Sequence, residues 1–191
     1  MIRTPRTYLR PLEREDMPVR TAWINDPEIR ETLAVQFPYS QASAQRWFER
    51  VSQDPTRAEF IIVLEETKEP IGFAGYTNID WFHRKASPYI ALGSRKHWGK
   101  GLGTEVVRGL LDYGFNELGF NRLYGYMLDC NPAALKMDLR AGYKQEGMLR
   151  DNVFIHGRFH DHIMLGITRA EFNADREAEK PAAGRPVENR E

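Results

Sequence analysis

The chain has one cysteine, no long apolar run and no surplus of either charge. Because a disulfide needs two thiols, Cys130 cannot form one within the chain, and a reducing compartment is expected. No stretch approaches the roughly 20 apolar residues of a membrane-spanning helix. The segment from Met1 to Glu15 mixes arginine and glutamate and lacks the apolar region of a signal peptide. We therefore expect a cytoplasmic protein with no membrane partner.

The balance of charge also narrows the range of partners. The 27 basic and 27 acidic residues cancel, whereas proteins that bind nucleic acid usually carry a basic excess or a basic stripe. We therefore expect no nucleic-acid partner. The segment 173–191 is rich in charged residues, alanine, proline and glycine, and it would bury too little apolar surface to offset its ordering entropy. The sequence predicts one folded domain over residues 7–172 and a disordered polar tail over 173–191.

Seven runs of residues have the composition of β-strands. They are Tyr8–Leu12, Phe60–Glu65, Ile71–Asn78, Ser87–Gly93, Arg122–Leu128, Tyr143–Phe154 and His160–Thr168. Helices are expected after Asp16, with Val19, Ala22 and Trp23 on one apolar face, from Ser40 or Ser43 to Val51, from Thr104 to Leu118, and from Asn131 to Gly142. This order predicts a mixed sheet with helices on its faces, an α+β (mixed α/β) fold.

A glycine-rich loop precedes the longest predicted helix. Gly99, Gly101 and Gly103 alternate there, and Lys100 adds a positive charge. Glycines leave no Cβ to block a ligand, so backbone N–H groups at the start of the helix can converge on phosphate oxygens. The spacing fits neither the phosphate loop of nucleotide triphosphatases nor the dinucleotide fingerprint. The pattern is typical of a pyrophosphate-binding loop, and it is equally typical of a plain helix entry.

The loop and several further motifs resemble the GNAT superfamily of N-acetyltransferases over most of the predicted domain. The loop Trp98-Gly99-Lys100-Gly101-Leu102-Gly103 is similar to the family pattern Gln/Arg-x-x-Gly-x-Gly/Ala. The other matches are Phe82-His83-Arg84-Lys85-Ala86, Asn131-Pro132-Ala133-Ala134, Ala141-Gly142-Tyr143 and His156-Gly157-Arg158-Phe159-His160-Asp161. Trp98 and the continuation Thr104-Glu105 resemble the branch of ribosomal-protein alanine N-acetyltransferases and spermidine N-acetyltransferases. The resemblance implies a central, mostly antiparallel sheet of about seven strands flanked by helices.

The resemblance implies acetyl-CoA as co-substrate and no metal. It places pantetheine on the backbone of Ala91, Leu92 and Gly93, like an added strand. It places the pyrophosphate on the loop residues Trp98, Gly99, Lys100, Gly101, Leu102, Gly103 and Thr104. Asn131 should contact the pantetheine arm, and its position before Pro132 also makes it a helix N-cap.

Departures from common family patterns at four residues leave the catalytic groups open. Relatives often carry a glutamate that can act as general base where this chain has Ser87 and Pro88. Ala134 replaces a serine that some relatives have. Asp138 stands where many relatives place the tyrosine that protonates the thiolate. A raised pKa would make Asp138 a general acid, although a solvated helix carboxylate is the favoured interpretation. The other catalytic candidates are Tyr126 and Asp129, at the end of a strand.

Three remaining features have ordinary explanations. His156, His160 and His162 share the last predicted hairpin, but no cysteine at metal-site spacing completes a zinc set. Cys130 has no evident histidine partner and is expected to be inert. Glu105 follows the glycine loop, where its charge favours the start of the helix.

The expected function is acetyl transfer from acetyl-CoA to a primary amine. A protein N-terminal α-amine is slightly favoured over a polyamine or another small amine. Glu28, Glu31 and Asp26 are candidates for an acidic polyamine site, and Arg30 lies in the same loop. The departures from the family pattern leave open a second class, an acetyl-CoA-binding module without catalysis. A homodimer is common in this branch and compatible with the aromatic content, although the residues show no interface.

Overall fold

A computed structural model describes residues 1–33, 38–155 and 157–179. One mixed sheet of eight strands has the order β1-β2-β3-β4-β5-β6-β8-β7. The strands are β1 (Ile2–Arg3), β2 (Thr7–Pro11), β3 (Ala58–Leu64), β4 (Pro70–Asp80), β5 (Lys85–Leu92), β6 (Arg122–Leu128), β7 (Lys144–Ile155) and β8 (Arg158–Thr168). The helices are α1 (Met17–Asn25), α2 (Pro27–Arg30), α3 (Gln41–Val51), α4 (Leu102–Asn116), α5 (Pro132–Ala141) and α6 (Arg169–Glu179), with 3-10 turns at Arg14–Asp16 and Arg95–His97.

The sheet consists of two antiparallel blocks joined by one parallel contact. Strands β1 to β5 form a meander in which each strand pairs with the next. Strand β8 lies between β6 and β7 and pairs antiparallel with both. The blocks meet where β5 runs parallel to β6, and only Lys85 with Arg122 and Ala86 with Leu123 are in register there.

Apolar side chains cover both faces of the meander. Since successive residues of a strand point to opposite faces, Ile62 and Ala74 pack with Val106 and Leu110 of α4, while Ile61 packs in a second cluster. The second cluster takes in residues from α1, α3 and the adjoining strands, namely Met17, Ile24, Ala44, Val63, Phe73 and Ala91. Because both faces of the meander are packed, β5 is supported on both sides where it meets β6.

The predicted fold class, the seven strands and the helices α3, α4 and α5 are confirmed by this architecture. The eighth strand, β1, is a two-residue edge strand that carries too little pattern to be predicted. The predicted face of α1 is wrong, because Ala22 is exposed while Met17, Thr21 and Ile24 are buried. Arg20 is buried on the same face, where its guanidinium lies 3.8 Å from the Trp47 ring centroid.

The last helix crosses the predicted domain boundary. Helix α6 continues beyond Phe172 to Glu179, and the Phe172 ring packs 5.0 Å from that of Phe115 in α4. Residues 180–191 lie outside the described residues, so a disordered tail stays a prediction for them. Within the described ranges, no helix is both long enough and apolar enough to cross a membrane.

Candidate active site

The gap between β5 and β6 exposes unpaired backbone groups. The N–H of Gly93 donates to the carbonyl of Ile71 (2.8 Å), so Ala91, two residues earlier, also directs its N–H and C=O to β4, since such pairs alternate. Ile90 and Leu92 direct theirs to the other side, where the described residues place no strand beside β5 after Ala86. These two residues therefore offer the free edge that an extended ligand can join.

This edge differs from the predicted one. Leu92 was expected there and Ile90 was not, while the backbone groups of Ala91 and Gly93 are already used within the meander. Gly93 has a packing role instead. A Cβ added at this residue would lie 2.3 Å from the ring of Trp23, so glycine lets α1 approach the strand end.

A cavity of about 200 Å³ occupies the gap. The meander side contributes Pro88, Tyr89 and Ile90, and β6 contributes the stretch from Gly125 to Leu128. The remaining walls come from the α1–α3 connection, α4, α5 and the strands at the far edge, through Thr32, Leu33, Val107, Leu110, Asn131, Ala134, Met137, Asp138, Tyr143 and His162. Helix α5 and the α1–α3 connection thus line one continuous space.

Helix α4 begins with open backbone donors. Its N-cap, Gly101, has φ +81° and supplies no side-chain cap. The first helical hydrogen bond runs from the N–H of Glu105 to the carbonyl of Gly101 (3.1 Å). The N–H groups of Leu102, Gly103 and Thr104 therefore have no partner within the helix, and this geometry suits a phosphate.

The other loop residues shape this helix end. Gly99 has φ +70°, and a Cβ there would meet no described atom within 4 Å. Lys100 is exposed, and Trp98 lies against the guanidinium of Arg95, 5.4 Å from its ring centroid. A Cβ at Gly103 would lie 2.6 Å from the sulfur of Met137, so this glycine also lets α5 pack close to α4. The fit to a pyrophosphate thus rests on glycine conformation, free amides and one nearby lysine.

Asn131 has both of the properties that the sequence suggested. Its Oδ1 accepts the N–H of Ala134 at 3.1 Å and caps α5, and the residue also lines the cavity. Glycine at the other end of α5, Gly142, has φ +110° and ends the helix in the left-handed conformation. These two caps fix the position of the side chains on α5.

Asp138 is a buried carboxyl on the cavity wall. It is 8% exposed, and burial raises its pKa to about 7. The sequence favoured a solvated carboxylate, and that interpretation is wrong because α5 packs this side of the helix against the sheet. Two tyrosines of the cavity are poorer proton donors. Burial raises the pKa of Tyr143 well above its usual range, and the hydroxyl of Tyr89 donates to Glu59.

The other catalytic candidates are separated by the fold. Tyr126 lines the cavity, is 43% exposed and stacks on His162 at 5.6 Å. Asp129 does not line the cavity. It accepts a hydrogen bond from Nδ1 of His160 (2.7 Å), which holds the pKa of this carboxyl below its ordinary value.

A cysteine does approach one of the hairpin histidines, which the spacing in the sequence did not show. Ligand atoms of Asp129, Cys130 and His160 lie within 4.8 Å of one another. However, Asp129 occupies Nδ1 of His160, and Arg158 donates to Nε2 at 3.0 Å. Both ring nitrogens are thus engaged by protein groups, next to a cationic guanidinium. His156 lies outside the described residues.

The predicted acidic residues near α2 are already engaged. Asp26 caps α2 by accepting the N–H of Glu28 (2.8 Å). Glu28 and Glu31 lie 3.4 Å and 3.9 Å from the guanidinium of Arg95. Arg95 therefore partly neutralises the charge that a polycation would meet at this loop.

Comparison with known proteins identifies relatives that are all N-acetyltransferases. Residues 6–144 match the family described as the acetyltransferase (GNAT) domain. The chain is 32% identical over 173 residues to N-acetyltransferase p20 of Bacillus licheniformis, covering 88% of this chain and 96% of that protein. It is 27% identical over 168 residues to spermidine N(1)-acetyltransferase of Escherichia coli K12, covering 87% and 88%. The chain superimposes on the structure of Vibrio cholerae spermidine N-acetyltransferase in complex with CoA and spermine with a TM-score of 0.81 and 26% sequence identity. The match covers 88% of this chain and 98% of that one.

Proposed function

The chain belongs to the GNAT acetyltransferase family and is an N-acetyltransferase, and on this premise we propose that it acetylates a primary amine of a polyamine, with acetyl-CoA as donor. The observation that carries the proposal is the cavity between β5 and β6, which joins a free strand edge to the buried carboxyl of Asp138, whose pKa burial raises to about 7. Spermidine N-acetyltransferases are similar to this chain over most of its length, and this similarity supports a polyamine as acceptor.

The fit to acetyl-CoA rests on two backbone features. Ile90 and Leu92 offer N–H and C=O groups for an extended pantetheine arm. The open amides from Leu102 to Thr104, with Lys100 beside them, suit the pyrophosphate. When bound, acetyl-CoA would supply the thioester, and these elements would point its reactive end into the cavity.

Asp138 supplies the proton that the leaving sulfur needs. Attack of the amine forms a C–N bond and breaks the C–S bond, which leaves a thiolate. The carboxyl of Asp138 is protonated below about pH 7 and gives its proton to that sulfur. Asn131, held as the α5 cap, is placed to contact the arm of the donor.

The acceptor side of the cavity suits a slender cation. Tyr89 and Tyr126 line it, and aromatic faces attract ammonium groups. The volume of about 200 Å³ excludes a folded protein surface but accepts an extended aliphatic chain. A spermidine aminopropyl arm meets both requirements.

One observation favours a second acceptor, a protein N-terminal α-amine. Glu28 and Glu31 are both paired with Arg95, which reduces the negative charge that they offer to a polycation. An α-amine also has a lower pKa, about 8 against about 10.4 for an alkylamine, so a larger fraction of it is already deprotonated at neutral pH.

A homodimer, which the resemblance implies, stays a prediction.

Release of CoA thiol with a panel of acceptors distinguishes these functions. The panel contains spermidine, spermine, peptides with a free N-terminal alanine or serine, and the same peptides blocked at the N-terminus. We expect kcat/KM for spermidine to exceed that for the peptides by about tenfold or more. A reversed order would transfer the proposal to the α-amine. Acetyl-CoA binding without thiol release from any acceptor would contradict acetyl transfer at this site.

A further inference from the structure

His162 is a fixed imidazole on the cavity wall that the predicted catalytic set did not include. It lies on β8, opposite Leu128 of β6 and Leu149 of β7. Its ring stacks on Tyr126 with an interplanar angle of 30°, and its Nδ1 lies 2.9 Å from the amide Nδ2 of Asn152. Nε2 has no hydrogen bond to any described protein group and is therefore available to a ligand or a water molecule.

We propose that His162 is the general base of the reaction and takes a proton from the ammonium group of the acceptor, directly or through one water molecule. The inference rests on amine acetylation at this cavity and does not depend on which amine is used. A base is required because a protonated amine has no lone pair for the thioester carbon.

Asn152 can hold the ring in the tautomer that a base needs. A primary amide carries a donor and an acceptor at equivalent positions. In the structure Nδ2 faces Nδ1, which puts the ring proton on Nε2. Rotating the amide by 180° brings Oδ1 to the same position, so that Asn152 accepts the proton of Nδ1 and the lone pair lies on Nε2. Stacking on Tyr126 fixes the plane of the ring. Together these two contacts restrict the orientation of the imidazole ring.

The environment matches the task of each proton-transfer group. Burial lowers the pKa of His162 from its ordinary value, which favours the neutral ring. The titratable groups that face the same cavity are Tyr89 of β5, Tyr126 of β6, Asp138 of α5 and Tyr143 before β7. The carboxyl of Asp138 remains protonated up to about pH 7. A neutral base and a neutral acid thus share one cavity, which is the arrangement that acid–base pairs require.

The protons balance with these two groups. The acceptor enters as R–NH3+ and leaves as an amide with one N–H, so two protons depart. His162 takes the first before attack and releases it to water. The second leaves the nitrogen as the C–S bond breaks, and it replaces the proton that Asp138 has given to the sulfur. The products are the amide, free CoA thiol and one proton in solution.

The test is the pH dependence of kcat/KM for three proteins with whichever amine of the panel the wild type uses best. The wild type should show an acidic limb with its inflection below pH 6.5. His162→Gln should lower kcat about 100-fold and lose that inflection. Below about pH 7, where Asp138 keeps its proton, the rate of this variant should rise about tenfold per pH unit with the fraction of free amine. His83→Gln, at an exposed histidine in the β4–β5 turn, is the matched control and should resemble the wild type.

A second variant distinguishes a general-base role of His162 from a purely structural role of the same residue. Asn152→Asp places a carboxylate beside Nδ1, which favours imidazolium and should move the acidic inflection up by about one pH unit. Retention of the wild-type inflection in His162→Gln, or no shift in Asn152→Asp, would overturn the proposal. A loss of acetyl-CoA affinity in His162→Gln as large as its loss of kcat would also overturn it. If peptides replace spermidine as the best acceptor, the polyamine proposal fails while the test of His162 proceeds unchanged.

Discussion

Asp138 is the buried side chain to which we assign the role of general acid. The family resemblance implies a phenol at this position of α5 in many relatives, and a phenol and a carboxyl are both neutral donors when protonated. A carboxyl is normally ionised at neutral pH, but burial raises its pKa to about 7. Burial therefore brings the pKa of Asp138 close to the working pH, where a general acid is most effective.

Replacing Asp138 should show this in the alkaline part of the pH profile. In the wild type, kcat should fall above about pH 7 because the carboxyl loses the proton that it donates. Asp138→Asn should lower kcat about 100-fold and lose that descending limb. Asp129→Asn is the control, since Asp129 lies outside the cavity. Steady-state rates between about pH 6 and pH 9 check this, and an unchanged alkaline limb in Asp138→Asn would contradict the role.

Gly101 is the loop glycine with the clearest conformational requirement. Its φ of +81° is costly for a residue with a Cβ, and a Cβ there would point toward Arg6, 3.4 Å away. Gly101→Val should therefore weaken acetyl-CoA binding by about tenfold or more. The left-handed backbone conformation should itself cost the valine variant about 1–2 kcal/mol. Calorimetric titration measures the affinity, with His83→Gln as control. Equal affinity in both variants would mean that the phosphates bind elsewhere.

At the scale of elements, Glu105 fastens the first strands to α4. Its carboxylate accepts the N–H of Arg6 (2.6 Å), the Nε of Arg6 (2.8 Å) and the hydroxyl of Thr4 (3.1 Å). The sequence suggested only a favourable charge near the helix start. The carboxylate in fact holds the β1–β2 turn beside the open end of α4.

Removing this link should cost more than removing an exposed ion pair on the same helix. Glu105→Ala should lower the free energy of unfolding by about 1.5–3 kcal/mol, because hydrogen bonds to a charged group are lost. Asp112→Ala, which removes the exposed pair with Arg176, should cost at most about 1 kcal/mol. Urea denaturation measures both. Equal losses would show that the Glu105 contacts contribute no more than a surface pair.

The elements could be predicted where their signals are local. Asn131, Pro132 and Gly142 bound α5 through capping preferences, and runs rich in β-branched and aromatic residues located the strands of the meander. The wrong prediction, the buried face of α1, depends on contacts between residues that are distant in the sequence. Arg20 is buried because Trp47 and Phe73, from α3 and β4, cover its guanidinium.

The site was predictable to the same extent and no further. The glycine loop and Leu92 were placed by local pattern and resemblance. The free edge at Ile90 depends on which backbone groups β4 already uses. The buried state of Asp138 and the approach of His162 to the cavity depend on packing between α5, β6 and β8, which no local pattern encodes.

In the whole molecule, the sheet divides where the cavity lies. Two antiparallel blocks meet at only two pairs of residues, ending at Ala86 and Leu123, and then separate. The separation leaves unpaired backbone on β5, and α5 and the α1–α3 connection both contribute residues to the cavity wall. Under the proposed function, donor and acceptor would meet in this gap and react without a covalent intermediate.

A crystal structure of the chain with CoA and spermidine is the decisive test of the proposed site. We expect pantetheine hydrogen-bonded to the backbone of Ile90 and Leu92, phosphates at the start of α4, and the sulfur within hydrogen-bonding distance of the Asp138 carboxyl. We also expect an amine of spermidine on the side of the cavity where Nε2 of His162 lies. CoA bound away from the β5–β6 gap, or a sulfur out of reach of Asp138, would contradict it.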